Sequence, residues 1–147
     1  MSSTLGADLL SVVARLNRLT NQRVRRMPLP FAQARLLSTI EDQREARISD
    51  LAALDHCSQP TMTTQVRRLE DAGLVTRTAD PLDARAVLIR ITADGVAALR
   101  QARADRGAAL EPYLERLSDA DRNCLTNAVD VMRRLIEDAT MPHTAAR

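Results

Sequence analysis

Two short stretches hold the side chains best suited to chemistry. The first runs Ser58-Gln59-Pro60-Thr61 and continues through Thr63, Thr64, Arg67 and Arg68. Small polar groups at the start of a helix can reach base edges in the major groove of DNA, a Thr methyl can touch thymine, and a helix N-terminus favours a phosphate. Arg67 and Arg68, further along, suit phosphates better than bases. The second stretch is Asp83-Ala84-Arg85, which follows a run of turn residues. A guanidinium on a projecting hairpin can enter a narrow minor groove, where the negative potential is strongest. Asp83 would orient it by accepting from the fork before binding. The plainer roles for the same residues are a helix cap at Ser58, a solvated face at Arg67 and Arg68, and a surface ion pair between Asp83 and Arg85.

Other chemistry has little to stand on. Two His, and Cys57 and Cys124 placed 67 positions apart, come with no Gly-rich phosphate loop, no HExxH and no GxSxG. That leaves no acid–base or nucleophilic constellation, so no enzyme is expected. His56 beside Cys57 cannot make a metal pair, because adjacent ligands diverge on a helix; no zinc, other metal or cofactor is expected. Both thiols are expected to be buried and inert. The 147 residues, 45% hydrophobic and 27% charged, are enough for one folded unit with a core. Only 1% are aromatic, and the Ala and Leu bias excludes a β-sandwich or barrel. All 21 basic residues are Arg, yet the net charge is only +2. Residues 1–35 carry six Arg against Asp8 alone, whereas 36–100 and 101–147 are slightly acidic. Any DNA contact must therefore rest on small clusters of charge. No apolar run approaches the roughly 18 residues of a membrane span, and the N-terminus lacks the pattern of a signal peptide, which points to the cytoplasm.

The elements that position these side chains follow from periodicity. Leu5, Leu9, Val12, Leu16 and Leu19 step by 4, 3, 4 and 3, the period of a helix seam packed on another helix, which ends by Met27–Pro30. A second helix runs from about Phe31 through Ile40, and Glu41–Arg47 interrupts it. Ser49 is the natural N-cap of a short helix that holds Leu51, Ala52 and Leu54. Ser58 caps the next, which holds Met62, Val66 and Leu69 inside and closes at Gly73. That packing leaves Pro60, Thr61, Thr64, Arg67, Arg68 and Asp71 on the outward half. Leu74–Thr78 and Arg85–Thr92, rich in β-branched residues, read as one hairpin about the turn Ala79–Ala84. Thr92 caps a long helix that bends or breaks near Pro112. A last helix starts at Ser118-Asp119 with its seam on Leu125, Ala128, Met132, Leu135 and Ala139. The order helix, short helix, turn, capped helix and hairpin is a winged helix-turn-helix, whose second short helix enters the major groove.

At this point the chain resembles the MarR family of bacterial transcription regulators. Ser58–Arg77 is similar to the family's recognition helix and following strand, and Asp83-Ala84-Arg85 to its Asp-x-Arg wing signature, ahead of an apolar strand ending in Thr92. The resemblance runs from the first helix to the last. Gln65 stands where an apolar residue is common in the family, and Thr64 where several members have Arg, so no operator sequence carries over.

The expected fold is mainly α with one small β-hairpin, a winged helix-turn-helix flanked by dimerisation helices. Its parts are an N-terminal dimerisation helix over 1–30, the DNA-binding lobe over 31–92, C-terminal dimerisation helices over 93–140 and a flexible tail over 141–147. The two near-3.5 seams, together with the resemblance, imply a homodimer with recognition helices roughly 34–36 Å apart, reading a pseudo-palindrome in double-stranded DNA. The resemblance also implies a pocket between the lobe and the dimerisation helices for a small phenolic or anionic effector, with Arg15, Arg18, Arg35 and His56 as candidate contacts. The leading reading is a repressor released from its operator by that effector. The alternatives are a winged helix that coats DNA without sequence preference or binds other proteins, and a thiol-based redox regulator. The last is disfavoured because the first helix has neither the cysteine nor the tyrosines of the family's peroxide sensors.

Overall fold

The computed structural model describes residues 4–24 and 28–140. The expected turn at Met27 and the tail 141–147 lie outside the described residues. Among those described, no helix is long and apolar enough to cross a membrane. The chain divides into two compact units, Met1–Ala109 and Leu110–Arg147.

In the first unit, α1 (Leu5–Arg23) begins at Thr4, whose Oγ1 accepts from the Ala7 amide. Its apolar residues are largely exposed, Leu5 at 84%. α2 (Phe31–Gln43) buries Ala34, Leu36, Leu37 and Ile40 and runs past its expected end at Ile40. Arg44 then takes a positive φ of 62°, which turns the backbone out of the helix. The segment expected only to interrupt the chain instead forms a strand, β1 (Glu45–Arg47), with Ala46 buried opposite Ile89.

α3 (Ile48–Leu54) starts directly from this strand, with Arg47 at its N-cap and no side-chain cap. The expected cap, Ser49, is displaced into the first turn, because ladder pairing holds the backbone extended through Arg47. Leu51 and Ala52 are buried, and Leu54 is exposed. α4 (Gln59–Asp71) begins as expected: Ser58 Oγ accepts from the Thr61 amide, and Pro60 sits in the first turn. It ends in a Schellman motif, with the Gly73 amide donating to Glu70, the Leu74 amide to Leu69, and Gly73 at φ 72°.

The expected hairpin forms from β2 (Val75–Asp80) and β3 (Asp83–Ile91), longer than the sequence indicated and turning only through Pro81-Leu82. β1 joins it, so the sheet has three antiparallel strands in the order β1-β3-β2. Leu37, Ile40, Leu51, Met62, Val66, Leu69 and Ile89 are the largest fully buried side chains among the described residues, so α2, α3, α4 and β3 share one core. α5 (Ala93–Ala108) is capped by Thr92, whose Oγ1 accepts from the Gly95 amide at 3.0 Å and donates to the Gly73 carbonyl at 2.7 Å.

In the second unit, α6 (Glu111–Leu114) carries Pro112 in its first turn, which places the expected break in the long helix. α7 (Asp119–Thr140) is led by Ser118, whose Oγ accepts from the Asp121 amide. No residue of α7 is buried, and Leu125 and Leu135 of its seam are 47% and 59% exposed. Cys124 is exposed on this helix, not buried as expected, whereas Cys57 is half-buried against the core.

Gly95 is required by close approach: a Cβ there would lie 2.1 Å from the Leu74 carbonyl oxygen and 2.7 Å from Ile91 Cγ1. Because the obstacle is backbone, Gly95→Ala is expected to destabilise the protein by about 2–3 kcal/mol in urea melts, the cost of overpacking a filled site.

Candidate nucleic-acid interface

Burial of Met62, Val66 and Leu69 turns the opposite side of α4 outward, so Pro60, Thr61, Thr64, Arg67 and Arg68 are exposed as expected, with Thr63 half-buried at the edge. Neither Arg67 nor Arg68 has an ion-pair partner among the described residues. Gln59 at the start of α4 and Arg85 on β3 line one open cleft of about 290 Å³ together with Arg47, Ser49 and Arg77. The sequence-derived residues of helix and wing are thus brought to adjoining surfaces.

Two ion pairs position the wing against the helix-turn-helix. Arg77 Nε donates to Glu70 Oε2 at 2.7 Å, tying β2 to the last turn of α4. Arg47, at the junction of β1 and α3, donates from Nε to Asp80 Oδ2 at 2.8 Å and from Nη2 to the same oxygen. The other Asp80 oxygen accepts from the Leu82 amide at 2.8 Å. Asp80 is one of only two buried polar or charged residues among those described, the other being Thr20. The Leu82 amide holds the Asp80 carboxyl below its ordinary value, and Arg47 adds to this against the opposing effect of burial.

The expected orienting contact within the wing is corrected. Asp83 Oδ1 accepts from the Arg85 backbone amide at 3.0 Å, not from its guanidinium. The residue that organises the wing is Asp80, which sequence reasoning left as turn chemistry because its partner lies 33 residues upstream on an unforeseen strand. The Arg85 guanidinium has no ion pair among the described residues and is exposed.

A separate cavity of about 270 Å³ opens between α1, α2 and α5, lined among others by Asn17, Phe31, Arg35, Arg103 and Arg106. The Arg106 guanidinium lies 4.5 Å from the centre of the Phe31 ring, and its Nη2 donates to Asn17 Oδ1 at 2.9 Å and to Thr20 Oγ1 at 3.2 Å. Its Nε is buried without an acceptor, and burial lowers the affinity of the group for its proton. Of the four expected effector contacts only Arg35 lines this cavity, and it also pairs with Asp55 at 2.6 Å. Arg15 lies beside a shallow groove on α1, while Arg18 and His56 are exposed and line neither cavity. Phe31, Arg103 and Arg106 were missed, since residues 75 positions apart carry no joint signal in sequence.

The MarR family model matches residues 29–87, from the end of the α1–α2 connection to the middle of β3. An HTH-type transcriptional regulator of Mycobacterium tuberculosis (strain CDC 1551 / Oshkosh) is 30% identical over 135 residues, covering 92% of this chain and 94% of the relative. The chain belongs to the MarR family. It is accordingly a helix-turn-helix transcriptional regulator and not an enzyme. The crystal structure of wild-type MarR from E. coli in its apo form superposes with a TM-score of 0.69 at 22% identity, covering 97% of this chain and 99% of that one. An S. aureus MepR mutant bound to oligodeoxyribonucleotide superposes at 0.63 with 16% identity, over 92% and 99% of the two chains. Within the stretch matched by the MarR family model lie α2, β1, α3, α4, β2 and the wing tip, so both ion pairs that hold the wing are inside it.

Because folding depresses the Asp80 carboxyl, its contribution to stability is present above the ordinary value of 3.8 and is lost as pH falls through the lower folded value. Asp80→Asn is therefore expected to melt below wild type near neutrality, with the difference narrowing in strong acid; paired thermal melts across that range check it.

Proposed function

We propose that the protein is a homodimeric repressor that binds a pseudo-palindromic operator in double-stranded DNA and releases it when a small anionic effector is bound. The observation that carries this reading is the convergence of the α4 N-terminus and the Arg85 wing on one cleft, with Arg67, Arg68 and Arg85 unpaired. In that arrangement Ser58, Gln59, Pro60, Thr61, Thr63 and Thr64 face base edges in the major groove. Arg67 and Arg68 hold phosphates, and Arg85 reaches the minor groove with Asp83 fixing the backbone beneath it. The MepR structure with bound oligodeoxyribonucleotide supports a DNA-binding use of the same fold. Acting on DNA places the protein in the cytoplasm.

The exposed seams of α1 and α7 support the dimer: large apolar residues at helical spacing want a second surface, and a second copy of the same chain supplies one about a two-fold axis. The cavity beside Arg106 supports the effector. A half-buried guanidinium without a carboxylate partner, stacked on an aromatic ring, favours a flat anion such as an aromatic carboxylate. A ligand there contacts α1, α2 and α5 at once and can bias the relation of the DNA-binding lobe to the dimerisation helices.

Selection of bound duplexes from a genomic fragment library at near-physiological salt is expected to recover a pseudo-palindrome with about ten base pairs between half-site centres. Retention without a common sequence would replace this reading with a non-specific DNA binder. On the recovered duplex, Arg85→Ala is expected to lose affinity by about tenfold with its melting unchanged, and Arg67→Ala to lower the salt slope by about one. In sedimentation the wild type is expected at twice the 16.2 kDa chain mass, and Leu135→Glu to shift it toward the monomer. Benzoate is expected to release wild-type protein from the duplex, and Arg106→Gln to resist that release.

A further inference from the structure

The first two turns of α4 carry three threonines, preceded by the Ser58 N-cap, and these hydroxyls are already engaged. Thr63 Oγ1 donates to the Gln59 carbonyl at 2.8 Å and Thr64 Oγ1 to the Pro60 carbonyl at 3.1 Å. Thr61 Oγ1 lies 2.8 Å from Ser58 Oγ, which also accepts from the Thr61 amide. A hydroxyl has one proton to donate, so Thr63 and Thr64 have none left for an acceptor on a base. Once the hydroxyl turns back to its own helix, a threonine presents its methyl. Pro60, which has no backbone N–H, stands on the same face one turn before Thr64, and Pro60, Thr61 and Thr64 are all exposed. The centre of the outward face is therefore carbon, with Arg67 and Arg68 beyond it.

The apolar feature that the major groove offers is the C5-methyl of thymine. We infer that Thr64, flanked by Pro60 and Thr61, reads a thymine methyl, so that one thymine in each operator half-site is a specificity determinant. Thr64 is assigned as the reading group because it is the exposed threonine one turn beyond Pro60 and immediately ahead of Arg67 and Arg68 on that face. The contact is methyl to methyl: it discriminates thymine from cytosine and from uracil, and it does not need the Thr64 hydroxyl. This inference rests on the DNA-binding reading above and adds to it which base is read and by which atom.

The test uses the tightest duplex recovered by selection, with each thymine replaced in turn by deoxyuridine, a change that removes only the methyl. One position per half-site is expected to weaken wild-type binding by about three- to fivefold, the value of one buried methyl group. Thr64→Val, which keeps a methyl and discards the hydroxyl, is expected to retain both affinity and the uracil penalty. Thr64→Ser, which keeps the hydroxyl and discards the methyl, is expected to bind thymine and uracil duplexes equally. Sequence-specific binding with no uracil penalty at any position, or a penalty undiminished in Thr64→Ser, overturns the methyl readout while leaving the operator-binding reading intact. Failure of any duplex to be selected overturns both.

Discussion

Everything at the proposed DNA surface depends on the burial of one face of α4. Met62, Val66 and Leu69 are removed from water against a core that α2, α3 and β3 complete. Each such side chain contributes about 1.5–3 kcal/mol by leaving water, so rotating the helix about its axis would forfeit several of these at once. The rotation of α4 is thus set by carbon packing, and the side chains on its opposite face are presented without any contribution of their own to stability. Ser58 at one end and Gly73 at the other fix its length, because a satisfied N-cap and a left-handed C′ residue stop it at both ends.

The wing is positioned by a different kind of force. Its tip has little core of its own, with Leu82 at 92% exposure. What fixes it is a set of polar contacts that reach back to the helix-turn-helix. Arg47 and Asp80 join the wing to the β1–α3 junction, and Arg77 and Glu70 join it to the end of α4. A buried carboxylate without partners would be costly, and Asp80 is held by a guanidinium on one oxygen and an amide on the other. Arg47 and Arg77 are thereby engaged, and among the described arginines of α4 and the wing Arg67, Arg68 and Arg85 are the ones without an ion pair. A net charge of only +2 is compatible with binding a polyanion because local clusters of unpaired charge, not the net charge, meet the phosphates.

The two faces of the regulator make opposite use of desolvation. On α4 the hydroxyls are satisfied internally, so the exposed surface is more apolar than its residue types suggest. In the cavity between α1, α2 and α5, Arg106 is partly withdrawn from water with one nitrogen unsatisfied, so an interior surface is more cationic than its surroundings suggest. Composition cannot register either inversion, because each arises from what a side chain touches.

Local chemistry was legible along the chain. The Ser58 and Thr92 caps and the Gly73 stop follow from contacts within about five residues, and the helix-turn-helix order, the hairpin and the inward side of α4 follow from the periodicity and turn residues of short windows, which sequence records directly. The family follows from the same local signals taken in order. What tertiary structure alone decided involves residues far apart in the chain. β1 is three residues of weak propensity that become a strand only because β3 offers a ladder, and their pairing moves the start of α3 from Ser49 to Arg47. Asp80 rather than Asp83 organises the wing because Arg47 arrives beside it. The Arg106, Phe31 and Asn17 cluster needs three helices to meet. A sequence specifies these contacts only through the whole fold, since each depends on loop closures and packing that no short window of residues contains.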